Sequence, residues 1–112
     1  MLAKMLPEIS AQELAESLSG ERPPQLAEIL GPEYFASGHL PGAINLPLEG
    51  FAENALRLLP DKQADIVVYC HHGTRSARAV EFLRAAGYSK VRNLTGGIDA
   101  WATQVDVDTP RY

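Results

Sequence analysis

The sequence contains a single cysteine, Cys70, among its 112 residues. One cysteine excludes an internal disulfide, and an isolated thiol favours a reducing compartment. No run of about 18 apolar residues occurs, which excludes a membrane-spanning helix. The first residues show no hydrophobic run followed by a cleavage site, so we expect no signal peptide. These absences predict a cytoplasmic protein that does not bind membranes.

Excess charge is also small, because the formal net charge is -4 and the pI is about 5.3. The chain therefore lacks the general basic field that favours nucleic acid or an anionic membrane as a partner. The apolar fraction of 46% suffices for a core without a metal or disulfide. We expect one domain over residues 1–112, with a core from about 5 to 102 and a tail from 103 to 112.

Short apolar segments alternate with segments of helical periodicity. The segment Ile66–Tyr69 is β-branched and aromatic without polar alternation, which is typical of a central parallel strand covered on both faces. Further predicted strands cover 26–30, 43–46 and 90–94, and predicted helices cover 11–18, 48–59, 75–86 and 98–102. Residues 31–42 are largely polar, and we predict no regular element there. This alternation predicts the α/β class, with a mainly parallel sheet of about five strands and helices on both faces.

The segment Cys70–Ser76 lies between the clearest predicted strand and the clearest predicted helix. A loop that runs from the carboxyl end of a parallel strand into a helix directs backbone N–H groups at one point. Such donors and the helix dipole lower a cysteine pKa from about 8.5 to roughly 3.5–7.5. Cys70 is therefore the candidate nucleophile.

The same donors suit the transfer of a sulfane sulfur. A thiolate that attacks thiosulfate releases sulfite and keeps the sulfur as a persulfide, and both products are anionic. Preorganised N–H groups stabilise this charge, so neither a metal nor an organic cofactor is required. Gly73 permits a tight turn, and Arg75 is placed to contact an oxyanion.

Structural explanations compete for the same residues. A lone cysteine after an apolar strand is commonly a small buried hydrophobe, but the polar and basic residues that follow Cys70 are poor core material. A metal site formed with His71 and His72 is not expected, because three adjacent residues do not converge easily on one ion. The two histidines are instead expected to contribute backbone N–H groups, with imidazolium charge near pH 6.5 as a secondary role. His39 is expected to be structural rather than a catalytic base.

Three segments of the chain resemble motifs of the rhodanese homology domain, and the resemblance covers nearly the whole chain. They are Gly38–Asn45, Cys70–Ser76 and Gly96–Trp101, and in this order they resemble stand-alone bacterial rhodaneses in particular. The resemblance implies a persulfide on Cys70, within a substrate-binding loop of His71, His72, Gly73, Thr74, Arg75 and Ser76. It also implies a small sulfur-containing anion as donor, and a thiol, cyanide or a protein as acceptor.

Loop length separates related families. Phosphatases and arsenate reductases of similar fold place five residues between cysteine and arginine, whereas four separate Cys70 from Arg75. The shorter loop favours sulfur transfer. A phosphatase or arsenate reductase remains an alternative, as does an interaction module without catalysis.

One segment departs from the family pattern. Where relatives usually have Asp-Val-Arg, this chain has Glu28-Ile29-Leu30, so the carboxylate is kept and the arginine is lost. Glu28 is interpreted either as a residue that helps orient the active loop or as a charge at the edge of a strand. His39 is a further possible supporting residue. Architectural roles are expected for Gly38, His39, Gly42, Gly97 and Trp101.

Overall fold

In the computed structural model, which describes residues 7–110, five parallel strands form one sheet in the order β1-β5-β4-β2-β3. The strands are β1 (Glu8–Ile9), β2 (Gln25–Glu28), β3 (Ile44–Asn45), β4 (Ile66–Tyr69) and β5 (Val91–Leu94). The helices in the same range are α1 (Ala11–Leu18), α2 (Pro32–Ser37), α3 (Phe51–Leu58), α4 (Thr74–Ala85) and α5 (Gly97–Gln104). The α/β class and the parallel sheet of five strands are confirmed.

Strand β4 occupies the centre of the sheet, and all four of its residues are buried. Its side chains alternate between two hydrophobic clusters. Ile66 and Val68 pack in the cluster that contains residues of α3 and α4. Val67 and Tyr69 pack in the cluster that contains residues of α1 and α5. Helices therefore cover both faces of the sheet, as an uninterrupted apolar strand predicts.

Helix α1 begins with the capping box that its sequence predicts. The hydroxyl of Ser10 accepts a hydrogen bond from the Glu13 backbone at 3.1 Å, and the Glu13 carboxylate accepts one from the Ser10 backbone at 2.9 Å. Two N–H groups at the helix start are satisfied in this way. The buried Leu14 then fixes the helix against the sheet.

The sequence analysis did not predict two of the observed elements, one helix and one strand. Residues Pro32–Ser37, read as irregular, form α2, whose side chains are all at least partly exposed and therefore show no apolar periodicity. Pro32 stands at the start of this helix, where its fixed φ favours helical geometry. Residues Glu8–Ile9 form β1, which pairs with β5. Two residues are too few to show strand alternation.

The predicted boundaries shift at several elements, and the helix predicted over 48–59 begins only at Phe51. The strand predicted over 26–30 ends at Glu28, and the one predicted over 43–46 contains only Ile44–Asn45. The terminal helix continues to Gln104, so the predicted tail from 103 overlaps it by two residues. The hydroxyl of Thr103 donates to the Asp99 carbonyl at 2.9 Å within the added turn. The predicted core boundary near residue 5 lies outside the described residues.

No helix within residues 7–110 combines the length and the apolar character needed to cross a bilayer.

Candidate active site

Cys70 directly follows β4, at the carboxyl end of the central strand, and α4 begins four residues later at Thr74. The residue is only 2% exposed. It forms part of a small cup of about 170 Å³, whose other lining residues are His71, His72, Thr74 and Arg75. The strand, the loop and the helix therefore bring the predicted loop residues around one sulfur atom.

Hydrogen-bond donors from the start of α4 surround the sulfur. The Gly73 backbone N–H lies 3.2 Å from Sγ of Cys70, and the Ser76 backbone N–H lies 3.4 Å from it. The Ser76 hydroxyl oxygen is a further 3.3 Å neighbour. N–H groups at a helix start have no partner inside the helix and carry its positive dipole end. The site therefore favours an anion on sulfur.

Two opposing effects set the acidity of Cys70. Burial, the largest single effect, raises the thiol pKa. Hydrogen bonds from the Ser76 hydroxyl and from the backbone N–H groups of Ser76, Gly73 and His72 lower it, and together they outweigh burial. The net pKa of Cys70 lies below that of an ordinary thiol, as the sequence analysis predicts.

The substitution Ser76→Ala is expected to raise the pKa of Cys70, because it removes a hydroxyl that stabilises the thiolate. The thiolate is the reactive form, so the alkylation rate rises with pH through the pKa. The rate profile with iodoacetamide should therefore move to higher pH in the variant. Ser37→Ala, at an exposed serine of α2, serves as the matched control. A Ser76→Ala profile that overlays the wild type would contradict this assignment.

Asn93 of β5 contacts the active loop at Gly73 and Ser76, and the sequence analysis did not identify it. The Ser76 hydroxyl oxygen lies within hydrogen-bond distance of the Asn93 amide oxygen as well as of the Cys70 sulfur, so its single proton is shared between these two acceptors. The Asn93 amide nitrogen donates to the Gly73 carbonyl at 3.0 Å and to the Glu8 carboxylate, also at 3.0 Å. Asn93 is 3% exposed. A buried amide requires hydrogen-bond partners, and an asparagine within the short strand predicted over 90–94 was the available sequence signal.

The start of α5 holds the loop from the other side. The Ile98 backbone N–H donates to the Cys70 carbonyl at 2.8 Å, and the Asp99 N–H donates to the His71 carbonyl at 3.0 Å. These bonds direct both carbonyls towards α5, which leaves the sulfur facing N–H donors. Gly97, at φ +63°, makes this approach possible because a Cβ there would collide with the same two carbonyl oxygens.

Gly97→Ala is expected to lower the free energy of unfolding by about 2 to 3 kcal/mol, through positive-φ strain and this collision. The matched control is Gly42→Ala. Gly42 also has a positive φ, +78°, but a Cβ there would meet nothing within 4 Å. The control should therefore show the backbone strain alone, about 1 kcal/mol. Equal losses in urea denaturation would contradict a role for Gly97 in packing against the loop.

The other polar loop residues differ in their surroundings. Burial, with smaller effects from Arg75 and His72, lowers the pKa of His71 and so favours the neutral form of its ring. The His71 ring also meets the Tyr34 ring edge-on, with centroids 5.2 Å apart. Arg75 is exposed and forms no ion pair with any residue between 7 and 110. Within that range no three His, Cys, Asp or Glu side chains are grouped to hold a metal ion.

The sequence model of the family described as Rhodanese-like domain matches residues 10–104, which include the cup, β5 and α5. The chain belongs to the rhodanese-like domain family. Among solved structures, the rhodanese-like domain of the Anabaena protein Alr3790 superimposes with a TM-score of 0.81 at 31% identity, over 95% of this chain and 78% of that chain.

Relatives of two sizes match this rhodanese-like domain. A protein named sulfurtransferase from Allochromatium vinosum is 36% identical over 98 residues, which cover 88% of this chain and 90% of the relative. The adenylyltransferase and sulfurtransferase uba4 of Ogataea parapolymorpha is 34% identical over 97 residues, 87% of this chain but only 25% of the relative. The chain thus spans about a quarter of the longer relative. Family and relatives together support a sulfurtransferase activity in general.

The rhodanese-like domain departs from its family pattern at residues 28 to 30, and the structure shows how this segment packs. Glu28 is the last residue of β2, an interior strand of the sheet, and it is fully buried rather than exposed at the surface. Leu30, where relatives usually have arginine, is buried in the hydrophobic cluster that also contains Cys70. Leu30 therefore makes apolar contacts at the position where an arginine would pair with a polar or charged group. An orienting effect of Glu28 on the loop stays a prediction.

His39 contacts Phe35 rather than the active loop. Its Nδ1 donates to the Phe35 carbonyl at 2.8 Å, and the two rings stack with centroids 3.8 Å apart. These contacts connect the end of α2 to the segment that leads into β3. They favour the expected structural role of His39.

Proposed function

We propose that this chain is a sulfurtransferase that takes a sulfane sulfur from thiosulfate or a persulfide and carries it on Cys70. The observation that carries the proposal is the position of the Cys70 sulfur at the start of α4, facing the N–H groups of Gly73 and Ser76. These donors stabilise a thiolate before the reaction and an anionic persulfide after it. A lone thiol used in this way requires a reducing compartment, which favours the cytoplasm.

In the first half-reaction, the Cys70 thiolate attacks the outer sulfur of thiosulfate. A new S–S bond forms, and the bond between the outer sulfur and the sulfonate sulfur breaks. Sulfite leaves with the electron pair, and no proton is transferred. The outer sulfur keeps its negative charge within reach of the loop N–H groups.

In the second half-reaction, a thiophilic acceptor such as cyanide or a thiolate attacks the outer sulfur of the persulfide. The bond to Cys70 Sγ breaks, and Sγ leaves with the electron pair as the original thiolate. Donors that stabilise this leaving thiolate lower the barrier of the step. Arg75, exposed at the rim of the cup, supplies the local positive charge that an anionic donor needs near a chain of net charge -4.

Steady-state formation of thiocyanate from thiosulfate and cyanide tests the proposal. A covalent sulfur intermediate predicts ping-pong kinetics, with parallel lines when one substrate is varied at several fixed concentrations of the other. An aryl phosphate in place of thiosulfate tests the phosphatase alternative. Hydrolysis of the phosphate, with no thiocyanate formed from thiosulfate or an organic persulfide, would overturn the proposal.

A further inference from the structure

A depression lies at the amino end of the sheet, on the edge opposite Cys70. This amino-end groove has a volume of about 610 Å³ and is lined by Pro7, Arg22, Asp65, Arg84, Ser89, Lys90 and Arg92. Asp65 directly precedes β4, and Cys70 directly follows it. Strand residues rise by about 3.3 Å each, which puts the groove roughly 16 Å from the sulfur. A molecule bound in the groove therefore leaves the cup at Cys70 open.

Basic side chains dominate the amino-end groove. Four of the chain's ten lysines and arginines line it, together with a single acidic residue, Asp65. Four positive charges against one negative charge leave a local formal charge of +3, whereas the chain as a whole carries -4. The groove therefore attracts an anionic group locally, although the net charge of the chain repels anions at longer range.

Two of the arginines are held in place and keep unused donors. Nη1 of Arg84 donates to the carbonyls of Ser89 at 3.2 Å and Val91 at 3.4 Å. Nη2 of Arg92 pairs with the Asp65 carboxylate at 2.9 Å. Neither guanidinium makes a further hydrogen bond within residues 7–110, so the remaining N–H groups of both are available. Guanidinium groups fixed in this way match the planar geometry of a carboxylate.

The other two cations, Arg22 and Lys90, are exposed, and neither side chain forms a hydrogen bond or ion pair within the described part of the chain. Among the described residues that line the groove none is aromatic, so it offers no stacking surface for a nucleobase. The net charge of -4 also opposes a long polyanion, such as nucleic acid or an anionic membrane surface. These features favour a short ligand that carries a few carboxylates.

We propose that the amino-end groove docks a short acidic segment of a partner protein. Carboxylates of the segment bind the fixed guanidinium groups of Arg84 and Arg92, and Arg22 and Lys90 close on it from the solvent side. This docking surface is separate from the sulfur chemistry, because it lies at the opposite end of the strands. A partner held there and a sulfur donor at Cys70 are bound at the same time without competition.

The test uses a fluorescein-labelled peptide with a run of glutamates between glycines, and fluorescence anisotropy at low ionic strength gives its Kd. The wild type is expected to bind this peptide and not its glutamine counterpart. Arg22→Gln and Lys90→Gln should each raise Kd about threefold, and the double variant about tenfold, because each removes one exposed charge from the groove. Arg57→Gln is the matched control, since Arg57 is exposed on α3, makes the same change in net charge and does not line the groove. This control should raise Kd by less than about twofold.

Saturating peptide should leave the rate of sulfur loading from thiosulfate unchanged, because the groove is remote from Cys70. Slower loading would place the peptide at the cup and overturn the docking site. No peptide binding by the wild type would also overturn it, as would equal weakening by Arg57→Gln, which would reduce the effect to net charge.

A DNA duplex and phosphatidylserine vesicles test the other classes of anionic partner. Tighter binding of either than of the glutamate peptide, weakened in Arg22→Gln and Lys90→Gln, would overturn the assignment to an acidic protein segment. A wild-type protein that binds the peptide but takes no sulfur on Cys70 would overturn the proposed function and leave the docking site standing.

Discussion

Cys70→Ser is expected to abolish sulfur transfer from thiosulfate to cyanide, lowering kcat by at least about 10³-fold. A serine hydroxyl is not ionised by the N–H donors that suffice for a thiol, and its oxygen forms no persulfide. The variant differs by one atom at a buried position, so the hydrophobic cluster around residue 70 is kept. Thiocyanate formation by equal concentrations of folded wild type and variant provides the measurement.

The control for this prediction is His72→Ala. His72 lines the same cup, but it is exposed, and its proposed contribution is its backbone N–H, which alanine retains. We expect His72→Ala to keep kcat within about tenfold of the wild type. Sulfur transfer by Cys70→Ser at a rate near that of the wild type would show that the chemistry lies elsewhere in the chain.

Trp101→Ala is expected to lower the free energy of unfolding by about 3 to 5 kcal/mol. Trp101 is 5% exposed and packs in the cluster with Ile9, Leu14 and Leu26, between the sheet and the α1–α5 layer. Removing the indole leaves a cavity that these residues fill only in part. Urea denaturation followed by circular dichroism measures the loss.

The control is Leu56→Ala, on α3, where the leucine is 56% exposed. Its truncation should cost less than about 1 kcal/mol, since little apolar area leaves the core. The sulfur-loading rate per folded molecule of Trp101→Ala should stay near the wild-type rate, because the indole is absent from the cup. A loss of loading in fully folded Trp101→Ala would contradict an architectural role.

The strongest elements of the fold were predictable because their signals are local. Strand β4 was predicted at Ile66–Tyr69, its observed bounds, since every position is apolar and buried. Helix α4 was predicted within one residue of its start, because its polar and apolar positions alternate with helical spacing. The active loop at Cys70 was predictable because it lies between these two elements. Helix α2 lacked such a signal, since none of its residues is buried.

The contacts that shape the site were not predictable, because they join distant parts of the chain. Glu8 and Asn93 are 85 residues apart and meet only because β1 pairs with β5 at the sheet edge. Likewise, the bonds from Ile98 and Asp99 to the active loop depend on where α5 begins relative to β4. The local periodicity of a sequence does not show which residues of two distant segments lie opposite each other.

The most direct test of the account is intact-mass measurement of the purified protein after incubation with thiosulfate or an organic persulfide. The account predicts a mass increase of one sulfur atom, located on Cys70 by peptide mapping and lost on addition of cyanide. Cys70→Ser should show no such increase under the same conditions. A wild-type protein that stays unmodified with every sulfane donor, or that carries the added sulfur at another residue, would contradict it.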